Sequence, residues 1–470
     1  MTFSLAAAAA EQPGRAALVL AGRTVSFGEL AELALKARHE LGDADPASPV
    51  PLVCHPRLAE FVSFFACLEA QLPVALLSPK LTEFERHERL VTISTLRTAR
   101  APGERRALAV VFTSGSAGAP KAVELSVAAF RASAEASAKN LGGYPDDRWL
   151  LALPFAHIGG LSILTRCLLA RRPVVVPEPS PTQGFSPDLV IQAIERDRVT
   201  LASFVPAQLA LLLDRVPRWV PPPWLRAILL GGAAVSRALR DRAVDRGCPI
   251  LASYGLTEAC SQLTTQRPGS WSSEECSGPS ASARRPAEPS SSFGLDCGEP
   301  LPGVELRIVE GAIEVRSPTL MTRYLSSDAP PSPIDAEGWL STGDLGFLDL
   351  AGRLHVTGRA DELIVTGGEK VAPLEVERLL ESCPSVAAAC VFGIPHPIWG
   401  SVVAAALVPR PGASVRIEEL QALLAQRLSP AKRPRWLAIL SELPAGGSGK
   451  VDRQAVASLS RPHLRSLRSV

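Results

Sequence analysis

An apolar, largely β-branched run, "LAVVF", leads into Thr113, Ser114, Gly115, Ser116, Ala117 and Gly118, and the stretch ends in a cation, Lys121. Glycines let a ligand approach the backbone and expose its N–H groups, hydroxyls add donors, and a lysine brings a point charge, so the pattern suits phosphate oxygens. An ordinary polar turn ahead of the helical stretch "LSVAAFRASAEASAKN" would use the same residues, and the loop alone does not separate the two readings. It is not a Walker A loop, which needs GxxxxGK followed by Ser or Thr. Gly115 and Gly118 stand too close, and Ala122 follows the lysine. "GGSGKV", Gly446 to Val451, fails the same test, because Pro444 stands where the first glycine belongs. Farther along come Tyr254, Thr257 and Glu258 in "SYGLTEA", Asp344 in "STGDLG" and Arg359 in "GRADE". Taken singly, such a tyrosine reads as a core aromatic and such an aspartate as a cap or turn former.

The elements that must hold these residues alternate between apolar β-type runs and helical patterns, which points to an α/β fold. "VPLVCH" precedes "RLAEFVSFFACLEAQ", "LPVALLS" follows it, and "LRAILLGG" precedes "SRALRDRAVDRG". Between Arg57 and Gln71 the residues Phe61, Phe64, Phe65 and Leu68 predict a helix with one face packed on a sheet. The stretch from Arg267 to Gly294 is rich in Ser, Pro and charge and too poor in apolar residues to order itself, so it reads as a flexible surface insertion. Next, "VELRIVEGAIEVRS" predicts a small β subdomain around a Glu-Gly turn. From about Gly358 the pattern becomes helix between strands, as in a compact α+β terminal domain, with the boundary at Arg359 to Asp361. The expected division is residues 1–359 and residues 360–470.

The 470 residues are 46% apolar, enough for a large core and two or more domains. Lys and Arg number 49 against 47 Asp and Glu, so the charge of +2 gives no global field for nucleic acid or an anionic membrane. The nine cysteines form no CxxC pair and read as reduced thiols of a cytoplasmic protein. No stretch reaches the roughly 18 uncharged apolar residues of a membrane span, so membrane insertion is not expected.

In order, "TSGSAGAPK", "LPFAHIGG", "LLGGAAVS", "SYGLTEA", "STGDLGFLD", "GRADELIVTGGEKVAP" and "PAGGSGKVDR" resemble the motif series of the adenylate-forming superfamily of acyl-CoA synthetases, nonribosomal peptide adenylation domains and luciferases. The N-terminal "GRTVSFGELAELALKARHEL" also resembles that superfamily's first block, so the resemblance covers nearly the whole chain. It implies a large N-terminal domain of stacked α/β subdomains with a small β subdomain, and a mobile, smaller α+β C-terminal domain. It implies the cofactors ATP, Mg²⁺ and coenzyme A, and a carboxylic acid that is adenylated and then transferred to the thiol. By resemblance, Thr113, Ser114, Gly115, Ser116, Gly118 and Lys121 lie over the β- and γ-phosphates, and Ala117 replaces a frequent Thr, which removes one hydroxyl. Gly231, Gly232 and Ala233 would run along the adenine, Tyr254 would stack on it, Thr257 would reach the α-phosphate and Glu258 would hold Mg²⁺. Gly255 is assigned to the nucleotide site and to the acyl wall. Asp344 would accept from the ribose hydroxyls and Arg359 would donate to ribose or phosphate. Asp361 matches the hinge, Gly367, Gly368, Glu369 and Lys370 the loop that enters the site in the second pose, and Lys450 the catalytic cation of adenylation.

Compactness between the phosphate loop and "SYGLTEA" resembles the branch of o-succinylbenzoate:CoA ligases, which serve menaquinone biosynthesis. Such an acid leaves one carboxylate unreacted, and that group needs a cation or donors within apolar walls. His157, Arg166 and Ser203 are the candidates, and Arg166 reads equally as a helix-surface arginine. A CoA ligase for another aryl or short acyl acid, a luciferase-like oxygenase and a noncatalytic nucleotide-binding relative are the other readings. A homo-oligomer is compatible with the sequence, which carries no interface signature.

Overall fold

The computed structural model describes residues 2–42, 44–99, 101–113, 121–179, 184–269, 296–325, 332–366, 369–445 and 451–467. Of the predicted site residues, Ser114, Gly115, Ser116, Gly118, Gly367, Gly368 and Lys450 lie outside them, as do Ala117 and nearly all of the 267–294 insertion.

The chain is α/β, with two sheets at its centre. One has nine strands and includes, side by side, Trp149–Leu150, Leu201–Phe204, Ala227–Leu230 and Ile250–Leu256, all parallel, followed by the antiparallel Ser261–Thr265. The other has five strands in the order Arg323–Tyr324, Lys121–Ser126, Ala107–Thr113, Val74–Leu77 and Val50–Val53. Helices cover these sheets as the apolar spacing predicts. Leu58–Glu69 buries Phe61, Phe64, Phe65 and Leu68, and Val127–Leu141 begins where the Ser126 hydroxyl accepts from the Ala129 N–H at 3.1 Å. Phe61 and Phe155 meet at 5.2 Å between ring centroids inside the main core.

The Glu-Gly turn forms as expected, with Glu310 and Gly311 at φ +50° and +84° joining Glu305–Val309 to Ala312–Arg316. These strands build a four-stranded antiparallel sheet with Leu340–Leu348 and Leu354–Arg359. A further sheet follows, in which Val386–His396 and Gly400–Pro409 pair over their length and Ile364–Thr366 and Glu369–Val371 form an edge hairpin. Its own core contains Val376 and Leu380 of the helix Pro373–Glu381, together with Val391, Ala405 and Leu437. A larger N-terminal part and a smaller C-terminal domain result. Among the described residues, no helix is long and apolar enough to cross a membrane.

One expectation is refined. The loop after Thr113 does not run straight into a helix. It joins two antiparallel strands, with Thr113 opposite Lys121, and the helix starts only at Val127. Thr113 and Lys121 are therefore cross-strand neighbours that fix both ends of the loop.

Candidate active site

Parallel strands whose C-terminal ends open on one edge form a natural ligand crevice. Ser203, Gly231 and Tyr254 stand at that edge on three adjacent strands, since Leu229 pairs with Ser203 and Leu230 with Ala252. Gly231 has a steric reason to lack a side chain, because a Cβ there would lie 3.0 Å from Ser253 Oγ. Gly232 follows at φ +79°, and Ala233 is exposed, so this stretch presents bare backbone to solvent.

Tyr254 is buried and its hydroxyl donates to Asp344 Oδ2 at 2.6 Å. Burial, and then the charge of Asp344, push the phenol well above its ordinary value, so it keeps its proton and acts as the donor. Asp344 lies opposite Arg359 across the antiparallel pair Leu340–Leu348 and Leu354–Arg359, and Arg359 Nη1 donates to Asp344 Oδ1 at 3.1 Å. Gly343 makes this possible: it sits at φ +73°, and a Cβ there would approach Arg359 Nη2 to 3.2 Å. Arg359 Nε also donates to Asp361 Oδ1 at 2.9 Å. A chain of charge-assisted bonds therefore runs from Tyr254 through Asp344 and Arg359 to Asp361; the sheltered Tyr254–Asp344 bond is worth about 1.5–3 kcal/mol and the more exposed arginine pairs about 0–1 kcal/mol each.

Thr257 and Glu258 form a short 3₁₀ turn after Tyr254, and Cys260 and Ser261 reverse the chain at φ +52° and +95°. The Glu258 carboxylate is linked to the neighbourhood of Lys121 by one further residue. Tyr324, absent from the sequence reading, joins them. Its hydroxyl donates to Glu258 Oε1 at 3.0 Å, and Lys121 Nζ lies 5.1 Å from its ring centroid. The only local signal was a Tyr in the short apolar "MTRYL", which periodicity does not mark. One carboxylate beside a phosphate-type loop fits Mg²⁺, which binds through one or two carboxylates plus phosphate oxygens and keeps waters.

Arg166 is inside the protein, which corrects the reading of a helix-surface arginine. The helix Ile158–Ala170 is buried along most of its length, and Arg166 is 6% exposed. Its Nη2 donates to Ser261 Oγ at 3.3 Å, its Cζ lies 5.3 Å from the Trp149 ring centroid, and its Nε has no partner among the described residues. No carboxylate lies within 4.0 Å of it among the described residues. Desolvation pulls its pKa down to about 10. Trp149 Nε1 donates to Ser203 Oγ at 3.1 Å, which links Ser203 to the same cluster.

His157 caps the N-terminus of that helix, nine residues before Arg166, so about 13 Å of helix axis separates them. Gly255 has a structural reason of its own to lack a side chain. A Cβ there would lie 1.7 Å from Ser261 O, so the crossing backbone of the next strand requires the glycine. Glu369 and Lys370 are exposed on the edge hairpin of the C-terminal sheet.

The chain matches the AMP-binding enzyme family over residues 91–325 and the AMP-binding enzyme C-terminal domain over residues 375–450. It is 31% identical to the 2-succinylbenzoate–CoA ligase of Bacillus pumilus, with 95% of each protein covered. It is similar to the o-succinylbenzoate CoA synthetase (MenE) structure from Bacillus subtilis in complex with the acyl-adenylate intermediate OSB-AMP, with a TM-score of 0.80, 29% identity and 97% of each chain covered. The same Bacillus subtilis enzyme in complex with ATP and magnesium ion gives a TM-score of 0.80 at 30% identity, over 96% of this chain and 98% of that one. Because the first match runs from the approach to the hairpin loop through the strand of Tyr324 and the second falls on the C-terminal sheet, this chain belongs to the AMP-binding enzyme family.

Proposed function

We propose that this chain is an AMP-forming acid:CoA ligase acting on o-succinylbenzoate in menaquinone biosynthesis. Arg166 carries the choice of acid: a buried guanidinium with no carboxylate partner among the described residues is a site built to receive one. A monocarboxylic acid would leave that charge uncompensated. The dicarboxylic substrate supplies the missing anion while its other carboxylate reacts.

In the first half-reaction an oxygen of the reacting carboxylate attacks the α-phosphorus of ATP, and the bond to pyrophosphate breaks. The residues of this chain hold the nucleotide and meet the charge that builds on its phosphate oxygens. Tyr254 stacks on the adenine with its hydroxyl tied to Asp344, and Asp344 accepts from the ribose hydroxyls. Thr113 and Lys121 stand at the two ends of the phosphate loop, and its Ser114, Gly115, Ser116 and Gly118 are assigned to the β- and γ-phosphates by their motif. Thr257 reaches the α-phosphate, and Glu258 is the carboxylate that would hold Mg²⁺, whose chemistry there is to neutralise phosphate charge. Lys450 bridges the reacting carboxylate and the α-phosphate.

In the second half-reaction the sulfur of coenzyme A attacks the acyl carbon, the bond to AMP breaks, and the thiol proton leaves to solvent or base. Residues 1–359 and 360–470 act as two domains about a hinge at Asp361, so that Lys450 withdraws and the 367–370 hairpin enters. Arg359 is placed to report the nucleotide to that hinge, since it holds Asp344 and Asp361 together.

Acid-dependent exchange of labelled pyrophosphate into ATP tests the reading. O-succinylbenzoate should support exchange far better than benzoates, cinnamates or fatty acids. Exchange driven by one of those acids instead would keep the ligase and remove this substrate.

A further inference from the structure

We propose that Tyr324 is a positioning residue of the phosphate site, which orients Glu258 for the metal and Lys121 for the phosphates; this rests on the ligase reading above. Two separate stretches of chain converge on it. Its hydroxyl donates to Glu258 Oε1 at 3.0 Å, and Glu258 Oε2 has no partner among the described residues. The phenol thereby fixes the carboxylate and commits one oxygen, leaving the other for a cation. On its other side the ring face lies 5.1 Å from Lys121 Nζ. Among the described residues no carboxylate lies within 4.0 Å of that ammonium, so the ring holds the lysine without neutralising it.

The short strand that carries Tyr324 is itself held rigidly. It pairs with the strand that begins at Lys121, Tyr324 opposite Val123 and Arg323 opposite Glu124. Backbone bonds on both sides, Thr322 N–H to Glu124 O at 2.9 Å and Leu325 N–H to Ala122 O at 2.8 Å, fix the segment. Arg323 Nε then donates to the fully buried Glu124 carboxylate at 3.0 Å. Met321 N–H donates to the Glu258 carbonyl at 2.7 Å, which ties the same segment to the backbone of the turn it serves. The geometry suits a support for two charged groups.

The test is calorimetric titration of ATP into the protein with and without Mg²⁺, for the wild type, Tyr324→Phe and Tyr324→Leu, alongside each thermal midpoint. Tyr324→Phe should leave ATP affinity in the absence of Mg²⁺ and the thermal midpoint nearly unchanged, and should cut the gain in affinity that Mg²⁺ brings about tenfold, as expected for a lost bond to a carboxylate. Tyr324→Leu should in addition weaken metal-free ATP binding about threefold, because the ring beneath Lys121 is gone. An unchanged Mg²⁺ increment in Tyr324→Phe overturns the proposal, as does an equal loss with and without Mg²⁺. A wild type that binds ATP with a Mg²⁺ increment but makes no thioester would instead indict the ligase reading and leave this one standing.

Discussion

Replacing Arg166 by Met should separate stability from substrate recognition. Burial holds the guanidinium at about 10 instead of the ordinary 12.5. At about 1.36 kcal/mol per tenfold in proton affinity, the unpaired buried charge costs the fold about 3 kcal/mol. A base whose folded value lies below its unfolded value binds fewer protons when folded, so this cost is fully present below pH 10 and shrinks only above it. Methionine removes the charge and fills part of the space, at the loss of one bond to Ser261 and a cation–π contact with Trp149, about 1 kcal/mol each. The thermal midpoint should therefore hold or rise. Binding should respond in the opposite sense. Removing one partner of a desolvated charge pair costs about 2–5 kcal/mol, so the KM for o-succinylbenzoate in pyrophosphate exchange should rise about 30-fold or more, with that for ATP unchanged. Two monocarboxylate analogues, each lacking one of the acid's carboxylates, sharpen the assay. The wild type should discriminate strongly against the one without the unreacted group, and the variant should not. A change under threefold in the KM for the acid, or a parallel collapse of midpoint and all KM values, would refute the reasoning.

Lys450→Ala should slow adenylation by roughly 10²-fold or more while leaving thioesterification of a preformed acyl-adenylate largely intact; single-turnover assays of the two half-reactions check this, and equal losses would remove the two-pose account. Gly255→Ala should cost roughly 3 kcal/mol or more, read as a large drop in thermal midpoint, because its Cβ would fall 1.7 Å from Ser261 O. An unshifted midpoint would contradict that crossing. Glu381 accepts from the Ala389 N–H at 3.2 Å, and burial, with Glu377 nearby, raises it to about 7. The folded state then holds a proton that the unfolded chain has lost, so stability should fall as pH rises from about 4.5 to 7. Glu381→Gln should flatten that slope in denaturant titrations across the range, and an identical slope would show that the carboxyl does not titrate there.

The parts of the site that sequence revealed are those where chemistry forces a short local pattern. "SYGLTEA" and "STGDLG" mark Tyr254, Glu258 and Asp344, which lie on the strand Ile250–Leu256, the turn after it and the strand Leu340–Leu348. The Phe61, Phe64, Phe65 and Leu68 face was legible because burial alone sets its period. What stayed hidden depends on contacts between distant segments. Tyr324 gains its role only by pairing with the strand of Lys121, and a two-residue strand has no period to detect. Arg166 read equally as an acid-binding candidate and as a surface arginine, because helix spacing does not tell whether a polar residue on a mostly apolar helix faces water or the interior. The strand crossing that requires a glycine at 255 was hidden too, because close approach by a neighbouring strand leaves no mark of its own in the sequence.

The most direct test of the account is mass spectrometry of the products formed by the purified protein with ATP, Mg²⁺, coenzyme A and o-succinylbenzoate. The account predicts one CoA thioester of that acid, with AMP and pyrophosphate in equal amounts. AMP without thioester, or a thioester formed only from a different acid offered alongside, would contradict it.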